Sequence, residues 1–327
     1  MFRLITIAAF LTTAAAVAFA PAAQAQFNIY GLSAPKTPVA LAEKLNTPVA
    51  PELLTTLARA SHLGLDFRAK PDATDLKAIP GSRLTTDGKP GLLYVGADFC
   101  PYCAGERWGV MLTLLRFGKL SGLGYMLSAA NDVYPNTATV TFQHASYQSP
   151  YLDFQVVETA DRAEQPLMTP NTSQMKIMST FDAPPYTSFV ESIPFVYLDG
   201  KYELARLLVM PDQLKDKNWQ QIANTLADPK SALFQSVMPR VNLLTAAICH
   251  RDGGKPVDVC TAPGVAPAQE DAVTLEWRGR DLAIIPPAAL ATLDEPALTR
   301  ALLGPPAAQR LGGRLHRDRR NHFLRFQ

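Results

Sequence analysis

The sequence predicts an α/β domain with a central mixed sheet flanked by helices. Three observations carry that expectation. Gly91-Leu92-Leu93-Tyr94-Val95-Gly96 is a short, nearly continuous apolar run, the pattern of a strand covered on both faces. The chain then switches to helical spacing, with Trp108, Met111, Leu112 and Leu115 on one stripe. Strand-like runs recur at Val140-Thr141-Phe142, at Leu152 to Val157 and at Ile193 to Leu198.

The elements follow in order. Arg3, the apolar run Leu4 to Ala20 and the A-x-A site Ala23-Gln24-Ala25 read as a cleaved export signal over residues 1–25. An exported protein of this kind is periplasmic or extracellular. Residues 26–80 are expected to form an N-terminal arm. It starts as a loose Pro/Ala/Thr-rich stretch and includes a short helix from Pro51 to Leu63, closed by Gly64. The main domain is placed at residues 81–262. Its first helix runs from Cys103 to Phe117 and stops at Gly118. Residues 158–190 are polar, contain prolines and show no clear period. They read as an insertion outside the core, between the cysteine helix and the Pro194 strand. Asp199-Gly200 is a two-residue hairpin turn. Asp212 caps a helix reaching Leu226, and Ser231 to Cys249 forms another, kinked at Pro239. Residues 263–327, rich in Pro, Ala and Arg, are expected to be a disordered tail with one short helix at Asp294 to Leu303. No segment after the signal looks long and apolar enough to span a bilayer.

With 327 residues the chain suffices for one large domain or two small ones. Its formal charge of +2 is too small to suggest nucleic acid as a partner. The four cysteines fall into two close pairs, which suits a compartment where disulfides persist.

The pair in Phe99-Cys100-Pro101-Tyr102-Cys103 carries the chemistry. A cysteine at a helix N-terminus meets unpaired backbone N–H groups and the positive end of the helix dipole. Both favour the thiolate, the nucleophile of disulfide exchange, and Cys103 is close enough to resolve a mixed disulfide. Two other readings exist, a metal site and a small structural bridge. The spacing of the remaining cysteines argues against zinc, and so tiny a loop gains little from closure. Pro101 suits the first helical turn, and Tyr102 brings no positive charge, so a moderate lowering of the Cys100 pKa is expected. Pro194 is either an ordinary proline at a strand start or the second residue of a cis Ile193–Pro194 bond that exposes the Ile193 backbone to an extended peptide. Cys249 and Cys260 read as a structural disulfide, with a second redox pair as the alternative; a bridge over such a loop stabilises by about 3 kcal/mol. The charged residues near the site are Asp98, Glu106, Arg107 and Arg116. Glu106 is either a solvated surface residue or an acceptor of the Cys103 proton through water. The five histidines show no ligand spacing and no phosphate loop is present, so neither metal nor cofactor is expected.

The blocks YVGADFCPYCAGERWGVMLTLLRFG, SIPFVYLDGKY and CHRDGGKPVDVC together resemble an exported thioredoxin-like family of unknown function, related to DsbA-like thiol–disulfide oxidoreductases. The resemblance covers roughly residues 50–262. It implies a thioredoxin-like fold with Cys100 attacking, Cys103 resolving and Pro194 as the cis-proline. Thioredoxins commonly carry a buried carboxylate on the strand before the motif, and Leu92 to Gly96 has none. The implied activity is disulfide exchange with the thiols or disulfides of exported proteins, with a membrane quinone-linked redox partner in the oxidase direction. The competing expectation is a non-catalytic peptide-binding protein on the same fold.

Overall fold

A computed structural model describes residues 36–85 and 88–269, with the backbone of two short paired strands, Leu315–Arg317 and Leu324–Phe326. The expected export signal and the helix at 294–303 lie outside the described residues. The chain begins with α1 (Val39–Ala42), α2 (Pro51–Leu65), β1 (Leu76–Ala78), β2 (Gly91–Gly96) and α3 (Pro101–Leu114). Four short strands follow: β3 (Lys119–Ser121), β4 (Gly124–Leu127), β5 (Ala138–Thr141) and β6 (Ser146–Gln148). Next come β7 (Asp153–Glu158), α4 (Thr172–Phe181), β8 (Phe195–Leu198) and β9 (Tyr202–Leu204). The last elements are α5 (Trp219–Leu226), α6 (Ala232–Asp252) and α7 (Val257–Cys260).

The central sheet has the order β1-β9-β8-β2-β7. Only β2 and β7 pair in parallel, so the sheet is mixed as expected. Two small antiparallel ribbons, β3 with β6 and β4 with β5, stand apart from it.

Strand alternation divides the interior into two layers. Leu92, Tyr94, Val196 and Leu198 face one layer, shared with α2, α3, α5 and α6. Leu93, Val95, Phe195 and Tyr197 face the other. That second layer needs a cover, and α4 supplies it through Ile177 and Phe181. The segment read as an insertion outside the core therefore closes one face of the sheet. Its helix begins with a reciprocal cap between Asn171 and Gln174.

Several boundaries differ from expectation. The N-terminal arm enters the body: Leu53 and Leu57 of α2 are buried, and β1 forms a sheet edge. α2 runs past Gly64, whose bare Cα leaves room for Met238 and Arg116. The helix expected from Asp212 divides into a 3₁₀ turn at Pro211–Leu214 and α5, because Asn218 opens a new capping box with Gln221. α6 continues through Pro239 to a left-handed Gly253. α6 is long and apolar enough to cross a membrane by composition, contrary to expectation, yet it is mostly buried in this fold. Of the expected disordered tail, residues 263–269 and the paired strands Leu315–Arg317 and Leu324–Phe326 are described, and Val265 and Ala268 pack into the core. The Asp199-Gly200 turn has both residues at positive φ, as a type I′ hairpin requires.

Candidate active site around Cys100 and Cys103

β2 ends at Gly96, and the chain reaches α3 after four more residues. Two backbone bonds hold this connection, from Asp98 N–H to the Ala160 carbonyl (2.9 Å) and from Ala129 N–H to the Phe99 carbonyl (2.8 Å). Cys100 is the N-cap of α3 and Pro101 occupies its first turn. The Cys100 Sγ accepts a hydrogen bond from the Cys103 N–H at 3.2 Å, one of the donors a helix start leaves unpaired. Both cysteines are free thiols. Hydrogen bonding from Cys103, side chain first and backbone second, holds the Cys100 thiol below its ordinary pKa against the effect of burial, and Arg107 adds to the lowering. Burial pushes Cys103 well above the usual thiol range, and its hydrogen bond to Cys100 acts in the same direction. The two thiols are thus shifted in opposite directions, Cys100 down and Cys103 up.

Every residue of α3 is buried except Tyr102, where the sequence pattern indicated a single buried stripe. Tyr102 lies at the surface against the ring of Tyr134 (centroids 5.8 Å apart). Facing the thiols from the sheet is the turn before β8. The Ile193–Pro194 peptide is cis, and the Cys100 Sγ–H donates to the Ile193 carbonyl at 3.9 Å. Ile193 also joins Cys100, Cys103 and Ala97 in a small apolar cluster. The structure brings together Cys100, Pro101, Tyr102, Cys103, Ile193 and Pro194 as expected.

Glu106 is a correction. It is fully buried instead of solvated, and its Oε2 accepts from the Leu208 N–H at 2.7 Å. Burial raises its pKa to about 8, with that N–H opposing. Gly105 and Gly109 explain the close approach. A Cβ on Gly105 would stand 2.3 Å from the Val209 carbonyl oxygen, and one on Gly109 2.3 Å from the Leu208 Cβ. The small-residue spacing Gly105-Glu106-Arg107-Trp108-Gly109 was the sequence signal for this docking.

A buried ionic cluster lies beneath the pair. Arg107 binds Glu158 through Nε (2.9 Å) and Nη2 (2.6 Å), and Nη2 also reaches Asp98 at 3.3 Å. Its guanidinium stands 5.7 Å from the Tyr94 ring centre, and the Tyr94 hydroxyl donates to the Cys103 carbonyl at 3.4 Å. Burial raises Asp98 to about 6, opposed by Arg107. The strand carboxylate missing from Leu92 to Gly96 thus has a counterpart in Asp98, just past β2, and in Glu158 at the end of β7. Glu158 escaped the sequence analysis; its signal is a carboxylate ending the apolar strand Val156-Val157.

Cys249 and Cys260 form a disulfide with Cα atoms 5.6 Å apart, both residues buried in the larger apolar layer. Being bonded to each other, they supply no second thiolate pair for a metal.

Residues 77–250, more than half of the chain, match the family model described as Domain of unknown function (DUF929). The chain belongs to that family. The DUF929 segment contains the dithiol, the cis-proline turn and the Asp98–Arg107–Glu158 cluster, and it ends one residue past Cys249. No curated protein and no solved structure matches the chain.

Proposed function

We propose that this protein is an exported thiol–disulfide oxidoreductase with a thioredoxin-like domain of the DsbA-like type, acting on exported protein thiols through Cys100 and Cys103. One observation carries the reading: the Cys100 sulfur caps α3 within 3.2 Å of the Cys103 N–H, next to a backbone carbonyl at the cis-proline turn. The parallel β2–β7 pair and antiparallel β8–β9 pair around the dithiol helix support the fold assignment.

In the oxidase direction a substrate thiolate attacks the Cys100 sulfur of the Cys100–Cys103 disulfide. A substrate–Cys100 bond forms, the old bond breaks, and its electron pair leaves on Cys103, which takes up a proton. A second substrate thiolate then attacks the substrate sulfur and expels Cys100 as thiolate. Two substrate thiols are oxidised by two electrons and the enzyme pair is reduced. A membrane quinone-linked oxidase removes those electrons. Stabilising the Cys100 thiolate stabilises the reduced pair, which favours this direction over the reductase one.

The test is oxidation of a reduced, unfolded protein by the oxidised chain. Wild type exchanges and Cys100→Ser does not. A wild type that binds the unfolded chain without exchanging it would leave the non-catalytic peptide-binding function in place. The reduction potential of the Cys100/Cys103 couple checks the direction. N-terminal sequencing of exported protein checks cleavage after Ala25.

A further inference from the structure

We infer that Asp182 is a positioning residue: it seats the Ser192–Ile193–Pro194 turn against Cys100 and so sets the backbone edge on which a substrate peptide docks. This rests on the exchange function proposed above. Asp182 is the C-cap of α4 and only 1% exposed. α4 fixes it in place. Ile177 and Phe181 are buried against the sheet, and the Phe181 ring lies 5.6 Å from that of Tyr197 on β8. From this anchor the chain leaves as a loop, residues 183–191, and returns to the dithiol.

Asp182 closes that loop with two bonds. Its carbonyl accepts from the Glu191 N–H and its Oδ1 from the Ser192 N–H, both at 2.9 Å. Glu191 stands at φ 53°, a left-handed conformation that a glutamate seldom holds without such support. Burial raises the Asp182 carboxyl to about 6, opposed by the Ser192 N–H. Above that pH the second bond is made to a carboxylate, the stronger kind of acceptor. Ile193 follows directly, and its carbonyl lies 3.9 Å from the Cys100 Sγ. The pinned N–H is therefore one residue from the group that meets the reacting sulfur. Lys77 of β1 holds the loop at a second point, donating to the carbonyls of Pro185 and Tyr186. Tyr186, Phe189 and Ser192 join Tyr102 and Ile193 in lining a cavity of about 760 Å³ beside the dithiol, so the same tie shapes the space next to the sulfur. The lowering of the Cys100 thiol comes chiefly from its hydrogen bonds with Cys103 and does not involve Asp182. Losing the tie is thus a defect of docking that leaves the nucleophile intact.

The experiment compares two reductants of the oxidised full chain at neutral pH. One is an acetylated peptide with a central cysteine, which uses the docking edge; the other is dithiothreitol, which does not. Asp182→Ala is expected to lower the peptide rate about tenfold, because the Ser192 N–H loses its acceptor, and to leave the dithiothreitol rate within about twofold of wild type. Asp182→Asn keeps an acceptor oxygen and is expected to restore most of the peptide rate. A serine-for-cysteine peptide, titrated for binding, is expected to bind wild type more tightly than Asp182→Ala. If Asp182→Ala does not melt cooperatively, Asp182→Glu, whose oxygens are displaced by one methylene, takes its place with the same expectation. A peptide rate unchanged in the variant, with wild type exchanging both thiols, overturns the positioning role and leaves the oxidoreductase intact. An equal fall in both rates does the same, since it marks general damage to the site. No exchange by wild type with either thiol overturns the oxidoreductase. Weaker serine-peptide binding by the variant then still upholds the docking role, and equal binding overturns that role as well.

Discussion

The two cysteine pairs sit at opposite ends of helices. Cys100 opens α3, where unpaired N–H groups and the positive dipole end meet its sulfur. Cys249 lies in the closing part of α6, where the dipole is negative and the surroundings are apolar. The same side chain is thus a free thiol at a helix start in one place and half of a buried disulfide in the other. Surroundings differ in the same sense. Asp98, Arg107 and Glu158 form a buried ionic cluster near the first pair, whereas Cys249 and Cys260 belong to the larger apolar core.

The largest expected effect separates the pairs outright. Cys100→Ser abolishes disulfide exchange with a reduced unfolded protein, and Cys249→Ala/Cys260→Ala retains it. Loss of exchange in the second variant, with its fold intact by circular dichroism, would make the α6 bridge an electron relay.

Stability should show the reverse. Removing the Cys249–Cys260 bridge, whose cysteines are 11 residues apart, costs about 3 kcal/mol in urea unfolding by chain-entropy reasoning. The Cys100–Cys103 disulfide closes only a very short loop, so reducing it is expected to change the unfolding free energy by less. A bridge-free variant as stable as wild type breaks the contrast.

A third test concerns the charge near the first pair. Glu106 titrates near 4.5 when unfolded and about 8 when folded. The folded state therefore holds the proton more tightly. The associated stability is complete below pH 4.5 and is lost as pH rises through 8. Glu106→Gln removes that dependence. Between pH 5 and pH 8 the unfolding free energy of wild type should fall relative to the variant by something on the order of a few kcal/mol. Parallel curves would mean that Glu106 is ionised throughout.

The smallest expected effect is kinetic. Alkylation of the reduced chain by iodoacetamide should rise through a midpoint below the ordinary thiol value of 9.0 and map to Cys100. Cys103 should stay unmodified over the same range, because its thiol is buried and its pKa raised. Equal labelling of both would erase the asymmetry.

Much of this was legible in the sequence. The apolar run at residues 91–96 marked the central strand, and the Cys-Pro-Tyr-Cys spacing marked a capped helix start. Asp199-Gly200 marked the hairpin that returns the chain beside β8. What escaped depends on contacts between distant segments. α4 is amphipathic against a face that exists only once the sheet is assembled. Glu106 reads as a surface residue until Gly105 and Gly109 admit the 208–209 segment over it. Glu158 acquires meaning only when β7 pairs with β2 and brings it to Arg107.

Those two glycines have a consequence for the cavity beside the dithiol. Leu207, which lines the cavity beside the dithiol, directly precedes the residues that rest on Gly105 and Gly109. The placement of one wall of that cavity therefore depends on two absent methyl groups. A single carbon added at either position acts as a spacer, so these sites form a natural dial for resizing the entrance without touching a sulfur.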